Sequence, residues 1–252
     1  MTAINFGVGT AIGRRTDISN PTPAFMGILQ DIEIDFDQTL KELMGQYKMP
    51  VDVAPANLKV TGKAKFAKIQ ANLVNDLMLG QTLSSASGVS MAVAEAGSVP
   101  ASPTYTITVS HSGTFSEDLG VFYASTGVQL TRVASVSVAG TYSVNESTGV
   151  YTFYSGDANA AVTLYYTYTV TTLKKIAMTN QLMGIGPTFE LHLQENYTNN
   201  LGVTNTMYIK LNACRSSKLT WPFKNVDYTI QSFDFTAFAD QSNNWGTIAV
   251  TE

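Results

Sequence analysis

The segment "ILQDIEIDFD", residues 28 to 37, alternates without a break from 31 onward: Asp31, Glu33, Asp35 and Asp37 on one face of an extended chain, Ile32, Ile34 and Phe36 on the other. Period-two patterning of this kind suits a half-buried β-strand, whereas a helix would scatter the same residues around its circumference. It also sets an energetic problem. Same-face neighbours in a strand stand about 7 Å apart, where each charged pair repels by roughly 0.6 kcal/mol in water. Four carboxylates in a row need opposing cations or a use.

A second segment, "LKVTGKAKFAKI" at 58 to 69, supplies cations in the same phase. Val60, Ala64 and Phe66 share one face and Lys59, Thr61, Lys63 and Lys65 the other, so the two segments suit an antiparallel pair. Between them, residues 38 to 56 are too many for a tight turn and read as a long loop carrying Leu40, Leu43, Met44, Tyr47, Met49 and Val51. A loop this apolar is expected to dock, either onto its own chain or onto a neighbour.

Further along, Ile69, Leu73 and Leu77 with Val74 and Met78 form a helical stripe over 69 to 80, closed by Gly80. Residues 81 to 103 shift to Ser, Ala and Gly and read as a linker. From 103 to 170 the rhythm becomes short strands with Gly turns, including a hairpin around "NESTG" and the long strand "AVTLYYTYTV". Long strands then return. In "YTIQSFDF" the apolar phase slips, which predicts a β-bulge near Gln231 or Ser232. The fold class is all-β with one short α-helix: a β-sandwich or barrel-like core from 1–100 and 171–252, including the apolar N-terminal stretch Ile4, Phe6 and Val8, with a small inserted β unit at 101–170.

Charged residues make up 13% of the 252-residue chain, about half of the ~25% usual for soluble domains. A low-charge polar surface suggests that copies of the chain cover one another. The net charge of −4 argues against nucleic-acid binding spread over the surface, which rests on clustered Lys and Arg. A single cysteine, Cys214, excludes an intrachain disulfide and reads as a small buried residue of a chain folded in a reducing compartment. "MTAINFGVGTAIGRR" lacks the pattern of a secretory leader, and no stretch approaches the ~18 apolar residues of a membrane span. The expectation is a soluble chain with no cleaved signal and no membrane insertion.

Motifs for chemistry are sparse. "GVGTAIG" at 7 to 13 has the wrong spacing for a dinucleotide loop and no following helix, so its glycines serve backbone geometry in a strand or turn. His111 and His192 are the only histidines, and neither stands in a catalytic frame. Asp234 and Asp240 are carboxylates that nothing in the sequence selects as a pair. A flat acidic strand cannot wrap a metal ion. No enzyme activity, catalytic residue, metal or cofactor is expected.

The order of features resembles the major tail tube proteins of tailed bacteriophages. A strand entering "LKELMGQYKMPV" is followed by "KVTGKAKF", a helix, a Gly-turn β insertion ending in "GVYTFYSGDANAAVTLYYTY", then "TNQLMGIGPTFEL", "LNACRSSKLTWPFKNVDYTIQSFDFTAFAD" and "WGTIAVTE". The resemblance implies a core whose strands join those of neighbours into an inner hexameric β-barrel, rings that stack into a hollow tube, and a lumen that conducts DNA without specific binding. Residues 38 to 56 correspond by position to the loop that reaches the adjacent ring. The resemblance implies a virion tail protein made in the bacterial host cytoplasm, with sheath, tape-measure, baseplate or tail-terminator proteins as possible partners. Asp31, Glu33, Asp35 and Asp37 then have two compatible readings: a lumen wall that keeps the duplex sliding, or a ladder paired with Lys59, Lys63 and Lys65. The alternative function is a tail-tip or adhesion module whose Ig-like insertion binds through Tyr151, Tyr154, Tyr165, Tyr166 and Tyr168.

Overall fold

The computed structural model describes residues 7, 9–68, 70–84, 87–198 and 202–251. Expectations for Ile4, Phe6, Val8 and Ile69 lie outside them. The chain forms two compact units, one from Met1–Leu83 with Ile176–Glu252 and one from Ser84–Lys175.

From the N-terminus run β1 (Thr10–Arg15), β2 (Ala24–Phe25), β3 (Leu29–Met44) and β4 (Pro50–Phe66). The helical segment α1 (Ala71–Val74) follows, continuing as a π-turn over Asn75–Leu79, and then the two-residue β5 (Leu83–Ser84). Next come β6 (Gly88–Ser98), β7 (Thr106–Thr108), β8 (Phe115–Tyr123), β9 (Thr131–Arg132), β10 (Thr141–Asn145), β11 (Val150–Phe153) and β12 (Ala161–Val170). The chain returns through β13 (Lys175–Ile176) and finishes with β14 (Phe189–Thr198), β15 (Thr204–Thr220), β16 (Gln231–Ala237) and β17 (Gly246–Val250). The protein is all-β with one short helix.

In the first unit the strands form one antiparallel sheet in the order β2-β1-β14-β15-β16-β4-β3, and β17 shares with β16 the far side of the long β15. The sheet curls on itself. Ile32 and Ile34 of β3 and Met207 and Ile209 of β15 line one cleft, and the Phe36 ring meets Trp245 edge-on with centroids 5.9 Å apart. The core holds Ala11, Val60, Ala64, Phe66, Phe189, Leu191, Leu211, Phe233 and Phe235, with Leu73 and Leu77 of the helical segment packed among them. Gly13 belongs to this packing, because a Cβ there would stand 2.7 Å from Leu77 Cδ2. Its role in "GVGTAIG" is to let β1 and the helical segment approach each other.

Several expectations are corrected here. The helix of 69 to 80 is only one α-turn followed by a π-turn, because the Gly80 amide, at φ +60°, donates to Asn75 O, and the Asn75 side chain holds Gln81 through two further hydrogen bonds of 2.9 Å. The bulge expected in "YTIQSFDF" is absent: Tyr228 and Ile230 precede the strand, and Gln231, Phe233, Phe235 and Ala237 bury in a single phase. The 81 to 103 linker contains a strand, β6, which pairs along β12. The second unit therefore runs over 84–175, beyond the expected 101–170, and the small residues of this stretch masked its alternation of Val89, Met91 and Val93.

The second unit is a small sandwich. A sheet β6-β12-β8 and a sheet β7-β11-β10-β9 enclose Val121, Tyr142, Tyr151, Phe153, Val162, Leu164 and Tyr166. Four tyrosine hydroxyls of this unit reach carboxylates. Tyr142 and Tyr151 donate to Asp118 at 2.8 and 2.9 Å, Tyr123 to Asp157 at 2.5 Å, and Tyr166 to Glu95. Burial first, and then the facing Asp157 carboxylate, raise the Tyr123 hydroxyl to about 12. These are satisfied polar groups in a core. The hairpin expected around "NESTG" is present as β10 and β11.

Candidate assembly surface

Alternation fixes which side chains of β3 and β4 leave the core, and the register then places them opposite one another. Asp31 faces Lys65, Glu33 faces Lys63, Asp35 faces Thr61 and Asp37 faces Lys59. The same face continues across the sheet: Lys63 is opposite Asp234 of β16, and Asp234 is opposite Lys218 of β15. Glu33, Lys63, Asp234 and Lys218 thus make a transverse row whose sign changes at every strand. Only the Lys65 and Asp31 pair closes to an ion-pair distance, 2.7 Å, among the described residues of this face. The Asp31 hydrogen bond raises the Lys65 ammonium above its ordinary range. The acidic row of β3 is therefore balanced by its neighbours. The part played by Asp234 and Lys218 is non-local, and its only sequence signal is the alternation within "QSFDFTA" and "CRSSKLT".

Residues 38 to 56 are not a loop. The two strands run on past the sheet as a hairpin, with Leu40 opposite Pro55, Lys41 opposite Ala54 and Leu43 opposite Asp52, leaving residues 45 to 49 as the turn. The alternation of β3 weakens beyond Asp37, where Leu40, Leu43 and Met44 break the phase, and β4 carries Pro50 and Pro55. Both prolines are accommodated because β16 pairs with β4 only over Val60 to Phe66, so that the 50–58 arm has a free side. The projecting arms carry Leu40, Leu43, Met44, Tyr47, Met49 and Val51, all exposed, with Tyr47 at 75% and Met49 at 76%. Further exposed apolar residues lie at Met178, Leu182 and Met183, and at Phe223, Val226 and Tyr228. On the far side of β3 no strand follows among the described residues, and there the sixteen-residue β3 ends the sheet.

One polar cleft of about 700 Å³ opens on the same unit, lined by Glu190, Lys210, Asn212 and Asp240 among others. Glu190 is buried there, with Arg14 Nε donating at 2.5 Å, His192 Nε2 at 3.1 Å and Lys210 Nζ at 3.3 Å. Burial pushes its carboxyl upward, and the bonds from His192, Arg14 and Lys210 more than offset this and hold it below the ordinary value. His192 also meets the Tyr208 hydroxyl at 2.7 Å. A carboxylate held by three donors and kept below its ordinary value is a weak base and a structural anchor. Cys214 is fully buried, and desolvation raises its thiol to about 12, so it is not a nucleophile.

The tyrosine surface of the adhesion reading is largely core. Tyr151 and Tyr166 have no exposed area, while Tyr154, Tyr165 and Tyr168 are half-buried. Among the described residues no cluster of His, Cys, Asp or Glu could hold a metal ion, and no helix is long and apolar enough to cross a membrane. No family model and no curated protein sequence matches the chain.

Proposed function

We propose that this chain is the structural subunit of a phage tail tube, assembling into stacked hexameric rings around a lumen that conducts DNA. The observation that carries the proposal is the β3–β4 hairpin, which continues beyond the sheet and exposes a run of large apolar side chains to water. Such a patch marks an interaction surface. The free edge of β3 adds to it, since an edge of this length invites pairing with another chain. Joining edge to edge around an axis is a heterologous contact that closes into a ring, and the projecting hairpin then has the neighbouring ring to meet. The ring number and the passage of DNA come from the resemblance in motif order.

In that assembly the charged face of β3, β4, β16 and β15 is the surface turned to the bore. Its carboxylates repel a duplex and its lysines attract it, so a wall of alternating sign gives DNA little to grip. Partners at the ends of such a tube, a tape-measure, baseplate or terminator protein, and a sheath around it, belong to the same reading.

The test is assembly. Sedimentation velocity over a concentration series, with negative-stain images of the same samples, is expected to show rings and tubes at high concentration. Dispersed monomers throughout that series would sink the proposal.

A further inference from the structure

A second cleft of about 320 Å³ opens between β3 and the β14–β15 pair, walled by Ile32, Ile34, Phe36, Leu193, Met207 and Ile209, with Asp31 and Gly7 also lining it. Into this mostly apolar surround the strand β14 carries Glu195, 8% exposed, whose Oε1 is buried and has no hydrogen-bond partner among the described residues. Unlike Glu190, which Arg14, Lys210 and the His192 ring hold, Glu195 meets no cation among the described residues. A buried carboxylate oxygen left unmatched is costly, and the cheapest remedy is a cation delivered on an apolar stem, whose methylenes satisfy the walls while its charge meets the acid.

The same chain displays such a group. The turn of the β3–β4 hairpin reads Tyr47, Lys48 and Met49, a cation between two long apolar side chains that are each about three-quarters exposed. No ion pair of Lys48 is formed among the described residues. The hairpin projects over residues 38 to 44 beyond the last part of β4 that pairs with β16, a span of roughly 23 Å at strand rise. That places the tip far from its own sheet and within reach of another molecule.

We propose that the Glu195 cleft is the receptor for the hairpin tip of a second copy, with Lys48 entering between the apolar walls to pair with Glu195. This rests on the assembly reading above and names the two surfaces that its stacking contact joins. Donor and acceptor are different surfaces of one chain, so the contact is heterologous and propagates along an axis.

The experiment uses the full chain. Lys48→Glu and Glu195→Lys are each expected to lower the elongation rate roughly tenfold or more, and the double variant to recover most of it. Circular dichroism of each variant reports its fold. Should Glu195→Lys fail to fold, the neutral cycle of Lys48→Gln and Glu195→Gln replaces it, with the double variant expected to lose no more than either single one. A Lys48→Cys, Glu195→Cys protein treated with a short bismaleimide should give covalently linked multimers, the linker being needed because a lysine-to-glutamate contact holds the two Cα atoms farther apart than a disulfide spans. Wild-type elongation in the folded singles, additive losses in either cycle, or a link confined within one copy would overturn the contact while leaving tube formation intact. A wild-type protein that stays monomeric would remove both the contact and the proposed function.

Discussion

Gly62 shows how tightly the β4 face is packed against its neighbours. A Cβ at this position would lie 2.3 Å from Phe235 Cζ and 2.8 Å from the Glu33 carbonyl oxygen, and backbone cannot give way as a side-chain end can. Gly62→Val is therefore expected to destabilise the first unit by about 1–3 kcal/mol or more, read as a lower urea midpoint at unchanged slope. Glu190 makes a prediction of different sign in pH. In the folded state its carboxyl is held below the ordinary 4.5, so its ion pairs contribute stability above that value and lose it as pH falls through the folded one. The urea midpoint should fall on acidification below about pH 4.5. Glu190→Gln should be less stable than wild type at pH 7, and the gap should narrow as the pH is lowered through the folded-state value of Glu190. Equal acid sensitivity of the two proteins would remove Glu190 as the cause.

The elements differ in how readily they were read, and the difference is physical. Where one face is buried and the other charged, as in β3 from Leu29 to Asp37 and in β4 from Lys59 to Phe66, alternation was visible and the pairing register follows from it. Where both faces meet water, burial imposes no pattern, and the arms of the hairpin passed for a loop. β6 was hidden for a related reason: Gly88, Ser90, Ala92, Ala94 and Ala96 are too small to mark a face. The acidic row and its lysine partners were legible because they lie on adjacent strands, whereas Asp234, Lys218 and Glu195 reach their places through pairings that no local signal announces. Water-facing strands also make the hairpin removable. Replacing residues 39–57 by an Asn-Gly turn, which closes the Gln38 and Leu58 pair directly, should leave the melting temperature of the first unit nearly unchanged while abolishing stacking. Long tubes from this variant would show that the hairpin is not the stacking element.

The two units place their cores in separate residues: Phe66, Leu77, Phe189, Leu211 and Phe235 in one, Val121, Tyr142, Tyr151, Leu164 and Tyr166 in the other. Each core closes on strands of its own unit. The chain leaves the first unit at β5 and returns at β13, and these two short strands pair with each other. An insertion whose ends meet adds little loop-closure entropy to its host, since that term grows only by about 0.6 kcal/mol per doubling of loop length. Replacing residues 85–174 by a short Gly-Ser bridge should therefore leave a first unit that unfolds in one cooperative step. Because the hairpin, the free edge of β3 and the Glu195 cleft all belong to that unit, the shortened chain should still assemble, as measured by sedimentation and negative-stain imaging. Folded but strictly monomeric material would mean that the second unit supplies part of the assembly contact, and the surface identified on the first would then be incomplete.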